Sequence, residues 1–550
     1  MSTLVPALRQ PLSRRAIAGL FLLACLPFLN ALPADFTYDD RPIIKDNPRL
    51  ASPKVFPQIF TTHYFGGPLT SGTAYRPLVL VTYAVQKWIH GNRSWAFRIV
   101  NIVLHGGVTV LLAMWLLALG FPRGPSLATA ALFAVSTIHV EAVTSLVGRA
   151  ELLAAFLVMS SALAFHRATA AERLRVAPYL LCLALFQAAV FVKENAIILP
   201  GVVFLGLLFR TDVAGPPVAR LRRAALPLLG VFGPVVVLFA VRFLALEGFL
   251  FSKKAGIFDL ENSLVAQPRI LRMANACTLI VRYVEKTFLP IGLSADHSAH
   301  ALPLATKLSQ PLAWAGVLFL ASVSLAALLL LARRPLFGLG WALFLGALFP
   351  TSNVPFPIGT IYAERLAYLP SAGLLMMAVA LLSPLVRSVP LPRPWPVREA
   401  LVSVAVLAYG AGTVHRNLAW ADDQALFGDM VRKVPNSAKA HYDFAFDASR
   451  RGEKRLARTH LLRATRIFPR HYEAWAFLGR LHWDEKRLPS AIAAYRRSIE
   501  IFPDFENGRW GLAKSLEASG DLAGALAQFD EGARRLPSSY PISYHRARLL

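Results

Sequence analysis

Two adjacent carboxylates, Asp39 and Asp40, sit in the stretch from Phe36 to Asn47, and four further ionisable clusters interrupt long apolar runs. These are His139 with Glu141, Arg149 with Glu151, Lys193 with Glu194, and Glu364 with Arg365 followed by Tyr368. The residue types are complementary. A carboxylate on a loop can act as general base toward a hydroxyl. Arg149, Lys193 and Arg365 could bind a phosphate, arginine through a bidentate fork and lysine as a point charge. Such a set suits a lipid-phosphate sugar, whose tail lies in a bilayer and whose phosphate sits at its surface. An acceptor hydroxyl loses its proton to an Asp as it attacks the anomeric carbon, and cations stabilise the departing lipid phosphate. One displacement of this kind inverts the anomeric centre. A solvated loop would explain a bare acid pair, and helix-end pairs snorkelling to headgroups would explain each cluster singly. Five such places converging on one membrane face favour a site.

The elements that position these residues are read from the apolar runs. Apolar residues make up 55% of the 550, and only 16% are charged, against about a quarter charged in ordinary soluble chains. Eleven spans are expected: 16–32, 99–119, 127–143, 146–165, 177–191, 196–209, 224–246, 311–332, 336–349, 366–385 and 400–414. Arg9, Arg14 and Arg15 precede the first run, which is read as a retained helix, with a cleaved signal peptide as the alternative. With the N-terminus inside, every short inside joint is basic: Arg123; Arg167, Arg173 and Arg175; Arg210, Arg220, Arg222 and Arg223; Arg333 and Arg334; Arg387, Arg393 and Arg398. The outside turns are mixed in charge, as the positive-inside rule expects. A first outer loop, 34–97, then carries Asp39 and Asp40, with 77–88 lying in the interface. The stretch 270–291 contains Arg272, Arg282, Glu285 and Lys286, and each would cost about 2.5–3.5 kcal/mol at a helix centre. It is assigned to an outside interfacial helix.

The membrane region is expected to end near residue 416, followed by a linker helix at 417–435 and a repeat domain at 436–550. Pro435, Pro469, Pro503 and Pro537 recur every 34 residues, the length of a tetratricopeptide repeat. Trp475, Leu478, Gly479, Ala491 and Tyr495 occupy consensus places in one unit, Leu512, Ala525 and Phe529 in the next, and Ala457 and Ala464 in the first. The units are 436–469, 470–503 and 504–537, with 538–550 as a capping helix.

The formal charge of +26 invites a nucleic-acid reading, but the basic residues flank apolar runs or spread along helices without an aromatic-interleaved tract. No nucleic-acid partner is expected. Cys25, Cys182 and Cys277 show no CxxC or metal spacing, so neither a disulfide framework nor a metal site is expected.

Several motifs in order resemble the transmembrane and TPR repeat-containing O-mannosyltransferases of the glycosyltransferase C superfamily. They are Tyr38, Asp39 and Asp40 with Asn47; Tyr75, Arg76, Pro77 and Leu78; Asn101 through His105; Ile138 through Val143; Gly148 through Glu151; Lys193 and Glu194; and Ala363, Glu364 and Arg365 through Tyr368 and Ser371. The resemblance implies an all-α, polytopic glycosyltransferase C-type bundle with a C-terminal α-solenoid. It also implies a polyprenyl-phosphate-mannose donor, Ser/Thr acceptors in exported proteins, no cofactor or metal, inversion, and an acidic base in the first outer loop. The family pattern leans toward Asp39 as base, with Asp40 holding the loop or the acceptor. Ser136 and Thr137 depart from the pattern, which has a His–Pro pair there, and the repeat array is short for the family. Abundant Arg, Ala and Leu with compact loops look bacterial, which would make the outside the periplasm (the lumen, if the membrane is that of the endoplasmic reticulum). A lipid-linked sugar flippase or oligosaccharide ligase, and a non-enzymatic membrane-anchored repeat scaffold, are the alternatives.

Overall fold

The computed structural model describes residues 12–66, 74–171, 173–210, 216–245, 259–298, 300–385, 397–537 and 539–550. Among the described residues all regular elements are helical. Arg9, Arg387 and Arg393 of the basic joints, and part of the first outer loop, lie outside them.

Five helical segments are long and apolar enough to cross a membrane: Arg14–Ala31, Ser94–Ala118, Leu146–Ala168, Ala225–Phe243 and Pro311–Leu329. A sixth span is broken, Arg123–Val135 with Thr137–Val143 bent by 50°. Shorter apolar helices are Val176–Val192, Glu194–Phe209, Pro335–Thr351 and Pro370–Leu382. Ten of the eleven expected runs coincide with these. The eleventh, 400–414, falls within the helix Val397–Asn417, which has Glu399 near its start and His415 and Arg416 at its end.

Leu146–Ala168 is central and 72% buried, whereas Pro311–Leu329 is only 17% buried and turns most of its apolar surface outward. Outward apolar faces are stable in lipid, where interhelical contact depends on close packing. Pro335–Leu348 and Pro370–Leu385 show this packing directly: a Cβ on Gly373 would lie 2.2 Å from the Gly340 carbonyl oxygen, so only glycine permits their backbone contact. Arg269–Phe288 buries Leu271, Ala274, Leu279, Ile280 and Tyr283 along one side and exposes Ile270 and Met273 on the other. It is not among the helices apolar enough to cross.

The C-terminal helices pair as Ala438–Arg450 with Lys454–Ile467, Tyr472–Asp484 with Leu488–Ile501, and Glu506–Ala518 with Leu522–Arg535; Tyr540–Leu549 follows. Tyr495 fills the seam between units. A Cβ on Gly479 or Gly511 would come within 2.8 or 2.3 Å of its ring, so those glycines are required by the approach of neighbouring helices.

The two regions meet at the first loop. Ser13 caps the first helix, Arg14–Cys25, which continues as the tighter turn Leu26–Ala31. Asn417, at the end of Val397–Asn417, donates to Pro27 O at 2.9 Å and Asn30 Oδ1 at 2.7 Å. The first and last apolar helices therefore finish together. The first loop and the repeats lie at the same end of the bundle. At the other end of Arg149–Ala168, Arg210, Arg220 and Arg223 line a cleft with Thr169 and Leu174.

Candidate active site

Asp39 and Asp40 are neighbours with opposite environments. The Asp40 carboxylate is fully buried and takes a 2.9 Å hydrogen bond from the Val147 N–H, with longer ones from Thr37 N–H at 3.3 Å and Ser145 Oγ at 3.4 Å. Burial raises its pKa to about 6, opposed by those N–H donors and by Arg98. Asp39 is half-buried, and among the described residues its carboxylate has no hydrogen-bond or ion-pair partner. One carboxylate holds the loop; the other has no hydrogen-bond or ion-pair partner among the described residues.

Tyr38, just before Asp39, has φ +51°. For a bulky L-residue the left-handed region costs on the order of 1–3 kcal/mol and persists only where surroundings over-determine it. Here the Tyr38 N–H donates to Asp423 Oδ1 at 2.9 Å, and its ring meets Phe427 edge-on at 5.8 Å. On the loop's other side Arg98, a buried arginine of Ser94–Ala118, donates to Thr144 O at 3.0 Å, Ala34 O at 2.7 Å and Asp35 O at 3.1 Å.

Three cation–carboxylate pairs cluster together, and one of them lies within electrostatic reach of Asp39. Arg365 pairs with Glu141, whose Oε2 also accepts the Arg365 backbone N–H at 2.8 Å. Lys193 pairs with Glu151, which also accepts from Asn195 at 3.0 Å. Arg76 pairs with Glu194 at 2.9 Å. The pairs are mutually close: Arg76, Arg365, Glu194 and Glu141 all act electrostatically on Lys193. Burial opposes the charge on Arg365, but Glu141 and then Asp39 outweigh it and raise its pKa above the ordinary arginine value. Asp39 therefore lies within electrostatic reach of a fixed cation. Arg365 retains 30% side-chain exposure and Arg76 21%, against 8% for Lys193, so the two arginines can still reach an anion.

The remaining expected site residues are placed differently. Arg149 is fully buried, and its guanidinium donates to Asn101 Oδ1 (3.0 Å), Phe97 O (2.9 Å) and Thr82 Oγ1 (3.3 Å) and lies over the Tyr83 ring. These contacts brace the surrounding helices. His139 donates to or accepts from Ser371 Oγ at 2.8 Å, while Tyr368 O–H meets His105 Nδ1 at 2.8 Å; the His139 and Tyr368 rings pack 4.8 Å apart inside the bundle. Glu364 turns away from Arg365, accepting the Ser294 N–H at 2.6 Å. Gly148 is what lets this core close: a Cβ there would lie 2.1 Å from Ala142 O, between Glu141 and Glu151.

Sequence reasoning missed Arg98, Arg76 as a site cation, and Asp423. Arg98 was visible as a lone arginine opening an apolar run, a costly placement that signals a buried partner. Asp423 had no sequence signal, since its partner lies 385 residues away. Among the described residues no group of three or more His, Cys, Asp or Glu is arranged to hold a metal ion.

Fold and site together define a polytopic, all-α membrane protein with a tetratricopeptide repeat array built against an ionisable cluster. A tetratricopeptide repeat model matches residues 442–504. The chain is similar to protein O-mannosyl-transferase TMTC1 of Homo sapiens, at 28% identity over 84% of this chain and 56% of that protein. TMTC3 of Mus musculus is 26% identical over 88% of this chain and 54% of its own length, and TMTC4 of Mus musculus 26% over 82% and 66%. The chain thus spans little more than half the length of the first two relatives. Among solved structures, a chain of the APC/C hetero-tetramer Cut9–Hcn1 aligns over 86% of this chain at 11% identity with a TM-score of 0.24, too low to define a shared fold.

Proposed function

We propose that the protein is a membrane glycosyltransferase that moves a single sugar, mannose, from a polyprenyl-phosphate donor to Ser/Thr hydroxyls of exported proteins, with inversion. The names of its relatives support mannosyl transfer to protein. The observation that carries the chemistry is the Asp39 carboxylate, without a hydrogen-bond partner among the described residues and within electrostatic reach of Arg365. In the step, the acceptor oxygen forms a bond to the anomeric carbon and gives its proton to Asp39. The bond from that carbon to the phosphate oxygen breaks, and the electron pair leaves on the polyprenyl phosphate. That phosphate gains a negative charge as it departs, and Arg365 and Arg76 are the cations able to meet it. Glu141, Glu151 and Glu194 hold the cations in place; Asp40, Arg149, His139, Glu364 and Tyr368 act as structural supports. The reaction needs no cofactor in this reading.

The side is the one from which the first loop and the repeats both emerge, the periplasmic face of an inner membrane. The repeat array contacts the acceptor chain. Purified protein given polyprenyl-phosphate-mannose and a Ser/Thr-rich peptide should release polyprenyl phosphate and add one hexose to the peptide. Transfer of a larger glycan would point instead to a ligase. No transfer, with peptide held by the repeats alone, would point to a scaffold.

A further inference from the structure

The segment bearing Asp39 is fastened from the repeat side. Asp423, 6% exposed, is the first residue of the helix Asp423–Lys433 that leads into the repeats. One of its oxygens accepts the Tyr38 N–H at 2.9 Å and the other accepts Arg41 Nε at 2.7 Å. Arg450 of the first repeat helix adds an ion pair to the same carboxylate at 3.6 Å. Lys439 lies 5.8 Å from the centre of the Tyr38 ring and pairs with Glu261 at 3.0 Å. The Asp35 N–H donates to Ala421 O at 2.9 Å. Beyond the loop, Ser437 Oγ donates to Asp296 Oδ2 at 2.6 Å.

These contacts bear on Asp39 in a specific way. Its carboxylate has no partner of its own among the described residues, so its direction is set by the backbone on either side. The following residue, Asp40, is fixed by the Val147 N–H, which donates to its carboxylate. The preceding residue, Tyr38, is in the left-handed region, a conformation that relaxes unless held. Its holders are Asp423 and Phe427, both on the helix Asp423–Lys433 that leads into the repeats.

We propose that Asp423 is a positioning residue that fixes Tyr38 and Arg41 and thereby aims Asp39, so the repeat region is a structural part of the active site as well as an arm for acceptor. The proposal rests on the reading of Asp39 as the base. It explains why the helix before the repeats begins with a buried carboxylate and no apolar residue at that position. It also predicts that the repeats cannot be removed, or pulled away by a bound chain, without disturbing turnover.

The test uses the full-length protein in detergent or nanodiscs. Asp423→Asn keeps the side-chain volume and removes the charge. Hydrogen exchange should quicken in peptides covering residues 36–46 while the repeat helices stay protected. With polyprenyl-phosphate-mannose and a Ser/Thr peptide, kcat should fall about 10–100-fold, the scale of a roughly 1 Å misplacement, with KM for the donor within about twofold. Lys439→Met, which leaves Asp423 in place, should give the same signature more weakly and serves if Asp423→Asn does not fold. Unchanged exchange in 36–46, or quickened exchange with unchanged kcat, would overturn the proposal. Asp39→Asn run beside it separates the two readings. Retained turnover in that variant defeats the base assignment, and the aiming role with it, whatever exchange shows. Lost turnover in Asp39→Asn with no effect of Asp423→Asn defeats the positioning role alone.

Discussion

The membrane bundle and the repeat array solve the same packing problem by different means. In the repeats, small residues at a fixed 34-residue offset let helices close, and Tyr495 wedges between Gly479 and Gly511. Each of these packing contacts lies within a unit or between adjacent ones. In the bundle, the decisive contacts join distant segments through buried polar groups: Arg365 to Glu141, Lys193 to Glu151, Arg98 to the carbonyls of the first loop. In water such groups would be a liability. In a bilayer, where apolar contact between helices brings little advantage, they specify which segments meet. The repeats are built by period and the bundle by pairing. A change in one should stay local, while a change in the other should spread.

The sharpest way to break that contrast is Arg365→Ala. It leaves Glu141, 2% exposed, without its cation, and removing one partner of a buried pair costs about 3–5 kcal/mol. We expect a lower melting temperature together with loss of transfer beyond about 100-fold, read by a detergent melt and a peptide assay. Stability loss without loss of transfer would leave Arg365 a brace only.

Next comes Asp40. Its folded pKa is about 6 against an ordinary 3.8, raised chiefly by burial. Between those values the folded state binds more protons than the unfolded one, so stability falls as pH rises, by about 3 kcal/mol in all, and stays lower above pH 6. Asp40→Asn should flatten the melting temperature between pH 4 and pH 6. A slope that survives the substitution belongs to another group.

The smallest effect is expected in the repeats. Gly511→Ala places a methyl against Tyr495 and should cost about 1–3 kcal/mol, visible as a shifted repeat-domain transition with the membrane bundle unchanged. If the bundle melts with it, the two regions are more tightly coupled than the pairing contrast allows.

These differences also explain what was legible in the sequence. Helices follow apolar runs because lipid-exposed backbone has to bond within its own segment, so all eleven runs fall on helices, ten of them among the apolar helices and 400–414 within Val397–Asn417. The repeats were legible because their packing residues recur. That the repeats lie at the same end of the bundle as the first loop follows from Asn417 meeting Pro27 and Asp423 meeting Tyr38. Pairing was not legible. Arg149 and Arg365 look alike in a motif, and only burial separates a fully enclosed brace from a cation still partly exposed. The acid pair was likewise ambiguous until Val147 was found to occupy Asp40 and nothing described was found to occupy Asp39.

The most direct measurement compares Asp39→Asn and Asp40→Asn for hexose transfer from polyprenyl-phosphate-mannose to a Ser/Thr peptide, with donor affinity measured in parallel. Loss of a general base should lower kcat by about 100–10,000-fold. We expect that loss in Asp39→Asn with donor affinity kept, and a smaller loss in Asp40→Asn. Full turnover in Asp39→Asn would contradict the account.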